Sequence, residues 1–408
     1  MNICFVLIEY PINLYNGVKT KDLSGGIGTI MYDIAHKLKK RGHNIIVVTR
    51  SNILEKDYYF SDNGIEVYKF YAKNHLELTC KITKFLKEVF QDKIDIIETC
   101  DYAPMINEYI GNIPILLRLH ISYAFLEYCA GKIISPYQID DINRLHYSYS
   151  LHLADSIAGV SKYILENQVK FHGFPKEKIY GVIYNGISNL NKTFPFDNSM
   201  CFCHGTVSKR KGTHLLCNIF NIIFQQRPFA HLKIIGSGKS YWNEHCKPLL
   251  AKNAIKNVTF IDYQNRNNVL KEISRAGIYL SMSSLEAMSM SMLEAMSLGK
   301  PLILLQNGSF EEFIDNEIEG YIVSDINEAA NRAIELIDDA NLYARLSKAA
   351  KEKAERFSLN KCILETEKWY VNVLKNKNEI LSNRNHCFSS LLKEYYKYSL
   401  SKLEKPKF

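Results

Sequence analysis

The chain has 408 residues, 47% apolar and 23% charged, with a net charge of +8. That length favours two cores over one, and the composition excludes a disordered chain. No apolar run reaches the roughly 18 residues of a membrane span, and Met1–Ile8 lacks the basic start and cleavage site of a secretory leader.

The elements run as an alternation of short β-branched strands and helix-period segments, the pattern of parallel α/β sheets. Ile3–Ile8 is the first strand, and Ile27–Arg41 the first helix, with Ile27, Ile30, Met31, Ile34 and Leu38 on one stripe. Gly42-His43 stops it, and Ile45–Thr49 is the next strand. Ile94–Glu98, Ile115–Leu119 and Ser156–Val160 continue the sheet, with Thr79–Phe90 an amphipathic helix. The pattern breaks after Asn185-Gly186-Ile187, which divides the chain into residues 1–192 and 199–356. The second series has strands at Cys201–Gly205, Leu232–Ile235, Val258–Ile261, Ile278–Ser281, Pro301–Leu305 and Tyr321–Val323. Thr213–Gln225 and Val269–Ser274 are helices between them. Ala329–Arg356 reads as one helical region. Residues 357–408 begin with a long helix marked by Trp369, Tyr370, Val373 and Leu374, which can pack back on the first series. They hold 10 Lys/Arg against 5 Asp/Glu, a basic tail that suits an anionic membrane surface or a solvated helix.

Ten cysteines are scattered without any C-x-x-C pair. Cys201 and Cys203 fall on opposite faces of one strand, so reduced thiols in a cytoplasmic protein are expected. His/Cys clusters of metal spacing are absent, as is any D-x-D motif. No metal or cofactor is expected, and no nucleic-acid partner.

Four segments can hold an anion or a sugar. Ser24-Gly25-Gly26-Ile27-Gly28, before the first helix, is either a phosphate cradle or a plain glycine turn. Met31 stands where a dinucleotide fingerprint needs its third glycine. Gly205-Thr206-Val207-Ser208-Lys209-Arg210-Lys211-Gly212 places three cations after a strand. Open α/β sheets bind ligands there, and the cations would stabilise a departing diphosphate; the alternative is a solvated basic turn. Leu232–Gly238 ends in Gly236-x-Gly238, a close backbone approach. Finally, Glu286 and Glu294 lie eight positions apart, the second in the first turn of a short helix. The amides of Ser291, Met292 and Leu293 would face a phosphate and Glu294 would take sugar or ribose hydroxyls. Ser291-x-x-Glu294 equally fits a capping box. Glu98, Asp101 and Tyr102 end a strand where an acceptor can sit, as ordinary polar strand ends also do. Helix Thr79–Phe90, with Lys81, Lys84 and Lys87, is either a membrane contact or a surface helix.

The order Gly25-Gly26, His120, Asn185-Gly186-Ile187, Gly205…Lys211-Gly212, Gly236-x-Gly238 and Glu286-x7-Glu294 resembles retaining family 4 glycosyltransferases of GT-B fold. Ala154-Asp155-Ser156-Ile157-Ala158 and Gly299-Lys300-Pro301 resemble them too, and the likeness spans roughly residues 1–375. It implies two Rossmann-like domains facing across a cleft, with the C-terminal helix crossing back to the N-terminal, acceptor-side domain. The partners implied are a nucleotide-sugar donor and a saccharide or lipid-linked acceptor, in surface-polysaccharide assembly at the inner face of the membrane. Lys211 would contact the donor diphosphate, with Gly26 closing from the N-terminal side. Glu294 would hold the ribose and Glu286 the transferred sugar, and His120 would line that sugar. The anomeric configuration would be kept, the leaving phosphate helping to take the acceptor proton. Two departures stand out: Thr206 replaces the usual Arg, a charge that Lys209 or Arg210 would supply, and Ala287-Met288-Ser289 replaces glycine-aromatic-glycine. A nucleotide-sugar epimerase of the same fold, or a non-catalytic nucleotide-sugar-binding protein, is the alternative.

Overall fold

The structure is a computed structural model that describes all residues except 16–17, 22–24, 53, 137–141, 176–177, 189, 191–195 and 385–408. Ser24 and most of the basic tail therefore lie outside the described residues. The chain forms two compact units, Met1–Tyr184 with Cys362–Phe408, and Asn185–Lys361. The Asn185-Gly186-Ile187 segment goes with the second unit, because Ile187 accepts the Leu359 amide and donates to the Phe357 carbonyl, both at 2.9 Å.

The first unit is built on strands β1 (Asn2–Leu7), β4 (Asn44–Arg50), β5 (Tyr58–Asp62), β6 (Ile65–Phe70), β7 (Ile96–Cys100), β8 (Ile115–Leu119), β9 (Ser156–Gly159) and β10 (Ile179–Val182). A separate hairpin pairs β2 (Ile12–Tyr15) with β3 (Val18–Lys21). The large sheet has the order β10-β9-β8-β7-β1-β4-β6-β5, parallel except for β5 on β6. Its central strands are buried along almost their whole length, as a sheet covered on both faces requires. The chain winds from β1 outward through β4 and β6, then returns to β7 on the other side of β1. The loops after β1 and β7 therefore flank the point where the winding reverses.

The β5–β6 hairpin escapes the sequence reading. It turns on Asn63 (φ 54°) and Gly64 (φ 81°), the two left-handed residues that a tight hairpin turn needs. The helix expected at Thr79–Phe90 starts earlier, at His75, where the Asn74 side chain accepts the Glu77 amide at 2.9 Å. It ends in a wider turn over Leu86–Phe90.

The helix Leu359–Lys375 packs on the first unit, as its apolar markers imply. Trp369 and Tyr370 are fully buried; Trp369 Nε1 donates to Ser156 Oγ at 2.9 Å and the Tyr370 hydroxyl donates to Glu98. Arg41 and His43 reach Glu367 at 2.7 and 3.0 Å.

The second unit has strands β11 (Met200–His204), β12 (His231–Ile235), β13 (Val258–Ile261), β14 (Ile278–Ser281), β15 (Leu302–Leu305) and β16 (Gly320–Val323). All are parallel, in the order β13-β12-β11-β14-β15-β16. The winding reverses between β11 and β14. The helical region expected over Ala329–Arg356 is built of two helices, Ile326–Asp338 and Ala340–Ala354. Asp339 breaks them by capping the second, accepting the Asn341 and Leu342 amides at 2.9 Å each.

Candidate functional site

In open parallel sheets ligands bind at the carboxyl ends of strands where the winding reverses. In the second unit that is the edge shared by β11 and β14, and the expected motifs meet there. The loop after β11 carries Gly205 to Gly212, and the loop after β14 carries Ser283 to Ser289. Lys211 Nζ lies 2.5 Å from Glu286 Oε1 and Arg210 Nη1 lies 3.7 Å from it. The two loops are tied together: Arg210 Nη1 donates to the Leu285 carbonyl at 2.7 Å, and the Arg210 carbonyl accepts the Ser284 amide at 2.9 Å. Glu286 is 6% exposed. Burial pushes its carboxyl up, but Lys211, then Arg210, outweigh that and hold it below the ordinary carboxylate range. Lys211 and Glu286 thus meet as an ion pair that a ligand with both phosphate and hydroxyl groups can separate and satisfy.

Glu294 forms a second centre. Arg266 Nε donates to its Oε1 at 2.9 Å and His204 Nε2 stands 3.5 Å from its Oε2. His204 also stands 3.3 Å from the Ser291 carbonyl oxygen. Burial, then the charges of Lys211 and Arg266, lower the His204 pKa against the pull of Glu294 and Ser291, so the ring is neutral at pH 7. Neither His204 nor Arg266 was singled out from the sequence. His204 had a signal, being the polar residue that ends β11 just before Gly205. Arg266 had none, because only the fold brings the helix Arg266–Ser274 beside Glu294.

The start of the helix Met290–Ser297 corrects two expectations. Its cap is Ser289, whose Oγ accepts the Met292 amide at 3.3 Å and whose carbonyl accepts the Leu293 amide at 3.1 Å. The Met292 and Leu293 amides are therefore consumed, and among the described residues Met290 and Ser291 present the open ones. The Ser291-x-x-Glu294 capping box does not form either. Ser291 Oγ meets the Tyr279 hydroxyl at 2.8 Å and Ser289 Oγ at 2.9 Å, while Glu294 faces its cation.

Gly236 and Gly238 have a structural reason. A Cβ on Gly236 would stand 1.8 Å from the Gly205 carbonyl oxygen, and one on Gly238 2.4 Å from that of Val207. Both residues take positive φ, 148° and 123°. They let the loop after β12 lie against the Gly205 loop, where Val207 donates to the Ser237 carbonyl at 2.7 Å. Gly236 therefore shapes the loop that carries Lys211. Thr206 and Lys209 are exposed, while Arg210 turns to the Leu285 carbonyl. Within Ala287-Met288-Ser289, Met288 is buried and its sulfur accepts the Asn185 amide at 3.0 Å.

In the first unit, Gly25 precedes the helix Gly26–Lys40 and its amide donates to Glu9 Oε2 at 2.8 Å. A side chain, not an empty cradle, meets that amide. Asp101 and His120 end β7 and β8, both buried, the His120 amide donating to Asp101 Oδ1 at 2.9 Å. Burial, then the charge of Arg118, lowers the His120 pKa to about 3. Burial raises that of Asp101 to about 7, against the hydrogen bonds it accepts from Gln168 and from the His120 amide. Tyr102 is 38% exposed. Glu98 is the clear correction among the acceptor-side candidates. It has no exposed surface and is held by Arg118 Nε at 2.7 Å and by Tyr370, so it is a core group that no acceptor reaches.

The helix with the three lysines behaves as a solvated surface. Lys81 meets Asp57 at 2.7 Å, Lys84 meets Glu88 at 3.8 Å and Lys87 meets Glu108 at 2.6 Å. Nothing there supports membrane contact. Among the described residues no helix is long and apolar enough to cross a membrane, and no cluster of His, Cys, Asp or Glu is arranged to hold a metal ion.

Comparison with known proteins agrees with this architecture. Residues 24–189 match the family model Glycosyltransferase Family 4, and residues 191–353 match Glycosyl transferases group 1. An uncharacterized glycosyltransferase of Methanocaldococcus jannaschii is 26% identical over 62% of this chain and 74% of its own length. The N-acetyl-alpha-D-glucosaminyl L-malate synthase of Bacillus anthracis is 22% identical over 86% of this chain and 95% of its own. In fold, the chain is similar to the crystal structure of HepE from Anabaena in complex with UDP, at 19% identity and a TM-score of 0.67, covering 91% of this chain and all of that one. With two reversal-point parallel sheets, a helix returning to the first, and both halves matched, the chain is a family 4-like glycosyltransferase of GT-B fold.

Proposed function

We propose that the chain transfers a sugar with retention of anomeric configuration, from a UDP-sugar to a hydroxyl of a saccharide or lipid-linked saccharide. The observation that carries this reading is the pair of buried carboxylates, Glu286 on Lys211 and Glu294 on Arg266, at the reversal point of the second sheet. UDP as the nucleotide is suggested by HepE, crystallised with UDP and with UDP-glucose.

Lys211 and Arg210 neutralise the diphosphate, with the Met290 and Ser291 amides adding donors. Glu294, oriented by Arg266, accepts the ribose hydroxyls, and Glu286 accepts hydroxyls of the transferred sugar. In the first unit, His120 Nε2, buried and without a hydrogen-bond partner, is offered to a sugar hydroxyl. The anomeric carbon–oxygen bond to the diphosphate breaks while the acceptor oxygen bonds that carbon on the same face. The acceptor proton passes to the departing phosphate oxygen. Cationic side chains carry the charge stabilisation, with no metal in the scheme.

The test is turnover of a panel of UDP-, GDP- and ADP-sugars, with the product anomer read by NMR. Transfer or hydrolysis of a UDP-sugar with retained configuration is expected. Lys211→Ala should lower kcat by about 100-fold, more than it weakens binding of intact donor. Equal losses would make Lys211 a binding residue alone. No turnover of any sugar, with Glu294→Ala changing only binding, would support a non-catalytic protein.

A further inference from the structure

Around His120 the ends of β7 and β8 meet the helix Lys162–His172 in one buried polar chain. Asp101 Oδ1 accepts the His120 amide at 2.9 Å, and Asp101 Oδ2 accepts from Gln168 Nε2 at 2.9 Å. The same Gln168 nitrogen lies 3.3 Å from the His120 carbonyl oxygen. Both ends of the His120 backbone are thereby held. At the far side of the amide, Gln168 Oε1 accepts the Ser122 amide at 3.1 Å. Ser122 Oγ in turn meets His172 Nε2 at 2.8 Å and accepts the Phe125 amide at 3.2 Å, capping the helix Tyr123–Cys129.

Asp101 and Gln168 have no exposed surface, and Ser122, His172 and His120 are 1%, 2% and 5% exposed. Polar groups so deeply placed and so fully bonded fix a geometry that an apolar contact would leave loose. The exceptions are one ring nitrogen at each end of the chain, His120 Nε2 and His172 Nδ1, both buried and without a hydrogen-bond partner. At His120 a clamped backbone therefore presents a ring nitrogen whose bond remains to be made, and an unmade buried bond is costly until a ligand supplies it.

We infer that Gln168, acting through Asp101 and the His120 peptide, is a positioning residue that sets His120 Nε2 for its bond to a sugar hydroxyl. This rests on the proposed role of His120. The direction of the Gln168 amide is forced, because the Ser122 amide only donates and so takes Oε1, which turns Nε2 to Asp101. Gln168→Glu therefore sets carboxylate against carboxylate, and Asp101→Asn sets amide nitrogen against amide nitrogen. The two changes together restore a donor facing an acceptor at every contact of the clamp except the one to the His120 carbonyl.

The experiment measures kcat, donor KM and thermal midpoint on the UDP-sugar that the full chain turns over. The variants are Gln168→Glu, Asp101→Asn, their combination, and His120→Ala. Each single change is expected to lower kcat about 10- to 100-fold, as a small misplacement at a reacting centre does, with donor KM little changed. The combination should recover most of that loss. Singles that keep wild-type kcat while His120→Ala loses it overturn the clamp and leave the role of His120 standing. A loss in the singles that follows the folded fraction, without recovery in the combination, overturns it as well. If the singles do not fold, a folded combination decides: near-normal kcat supports the clamp, and kcat as low as that of His120→Ala overturns it. His120→Ala with unchanged kcat refutes the role of His120 itself, and the clamp with it.

Discussion

Glu98→Gln separates a core role from an acceptor role at a position that the sequence alone offered for acceptor binding. Glu98 and Arg118 are both completely buried, 2.7 Å apart, with the Tyr370 hydroxyl on the other carboxylate oxygen. Arg118 also donates to Thr366 Oγ1 at 3.1 Å and lies over the Trp369 ring. Burial works against the Arg118 charge, but its neighbours, Glu98 foremost, together more than offset it and keep the guanidinium protonated. Neutralising Glu98 leaves that cation buried with no counter-charge. Breaking such a pair from one side costs about 3–5 kcal/mol. At about 2–4 °C per kcal/mol for a unit of this size, the midpoint of the first unit should fall by about 6–20 °C. Calorimetry on the full chain gives that shift, and steady-state kinetics well below the midpoint should show an unchanged acceptor KM. Adding Arg118→Met should return part of the stability, since the stranded charge is gone. An unchanged midpoint with a raised acceptor KM would refute the assignment of Glu98 to the core.

Gly236→Ala should destabilise the second unit by about 1–3 kcal/mol in urea unfolding, from positive-φ strain and overlap with the Gly205 carbonyl. Gly25→Ala should leave the midpoint unchanged, because Gly25 has φ −80° and a Cβ there meets only the Glu9 carboxylate, at 3.5 Å. A drop in turnover without a drop in stability would then report a ligand close to that backbone. Lys300, 3% exposed, donates to the Ser274 carbonyl at 2.9 Å, and burial lowers its pKa to about 8. Between pH 8 and the ordinary lysine value near 10.4, the unfolded chain holds a proton that the folded one has lost, so stability rises with pH through that window. Lys300→Met should abolish the rise, which is up to about 1.4 kcal/mol per pH unit. Parallel stability curves for variant and wild type would exclude this role for Lys300.

Three local features escaped the hydrophobic pattern, each for its own reason. The Asn63-Gly64 hairpin carried a readable signal in its turn dipeptide, but its first strand is half-exposed and too weakly patterned to stand out beside the buried ones. Asp339 split a long helical period because its carboxylate offers the next helix a cap, a competition that hydrophobic spacing does not register. Ser289 rather than Ser291 caps the helix before Glu294, since Ser291 is drawn to Tyr279 across the sheet.

Local order was enough for the architecture and for the identity of the main charged groups. Strand and helix periods, the glycines at strand ends, and the succession from Gly25 to Glu294 are properties of neighbouring residues, written directly in the chain. What each charge touches is not. Glu98 meets a tyrosine 272 positions away, Arg266 meets Glu294 from a different helix, and Glu9 meets the Gly25 amide. Such partners are chosen by strand order and by the need of buried polar groups for a mate, and both exist only once the sheets have formed.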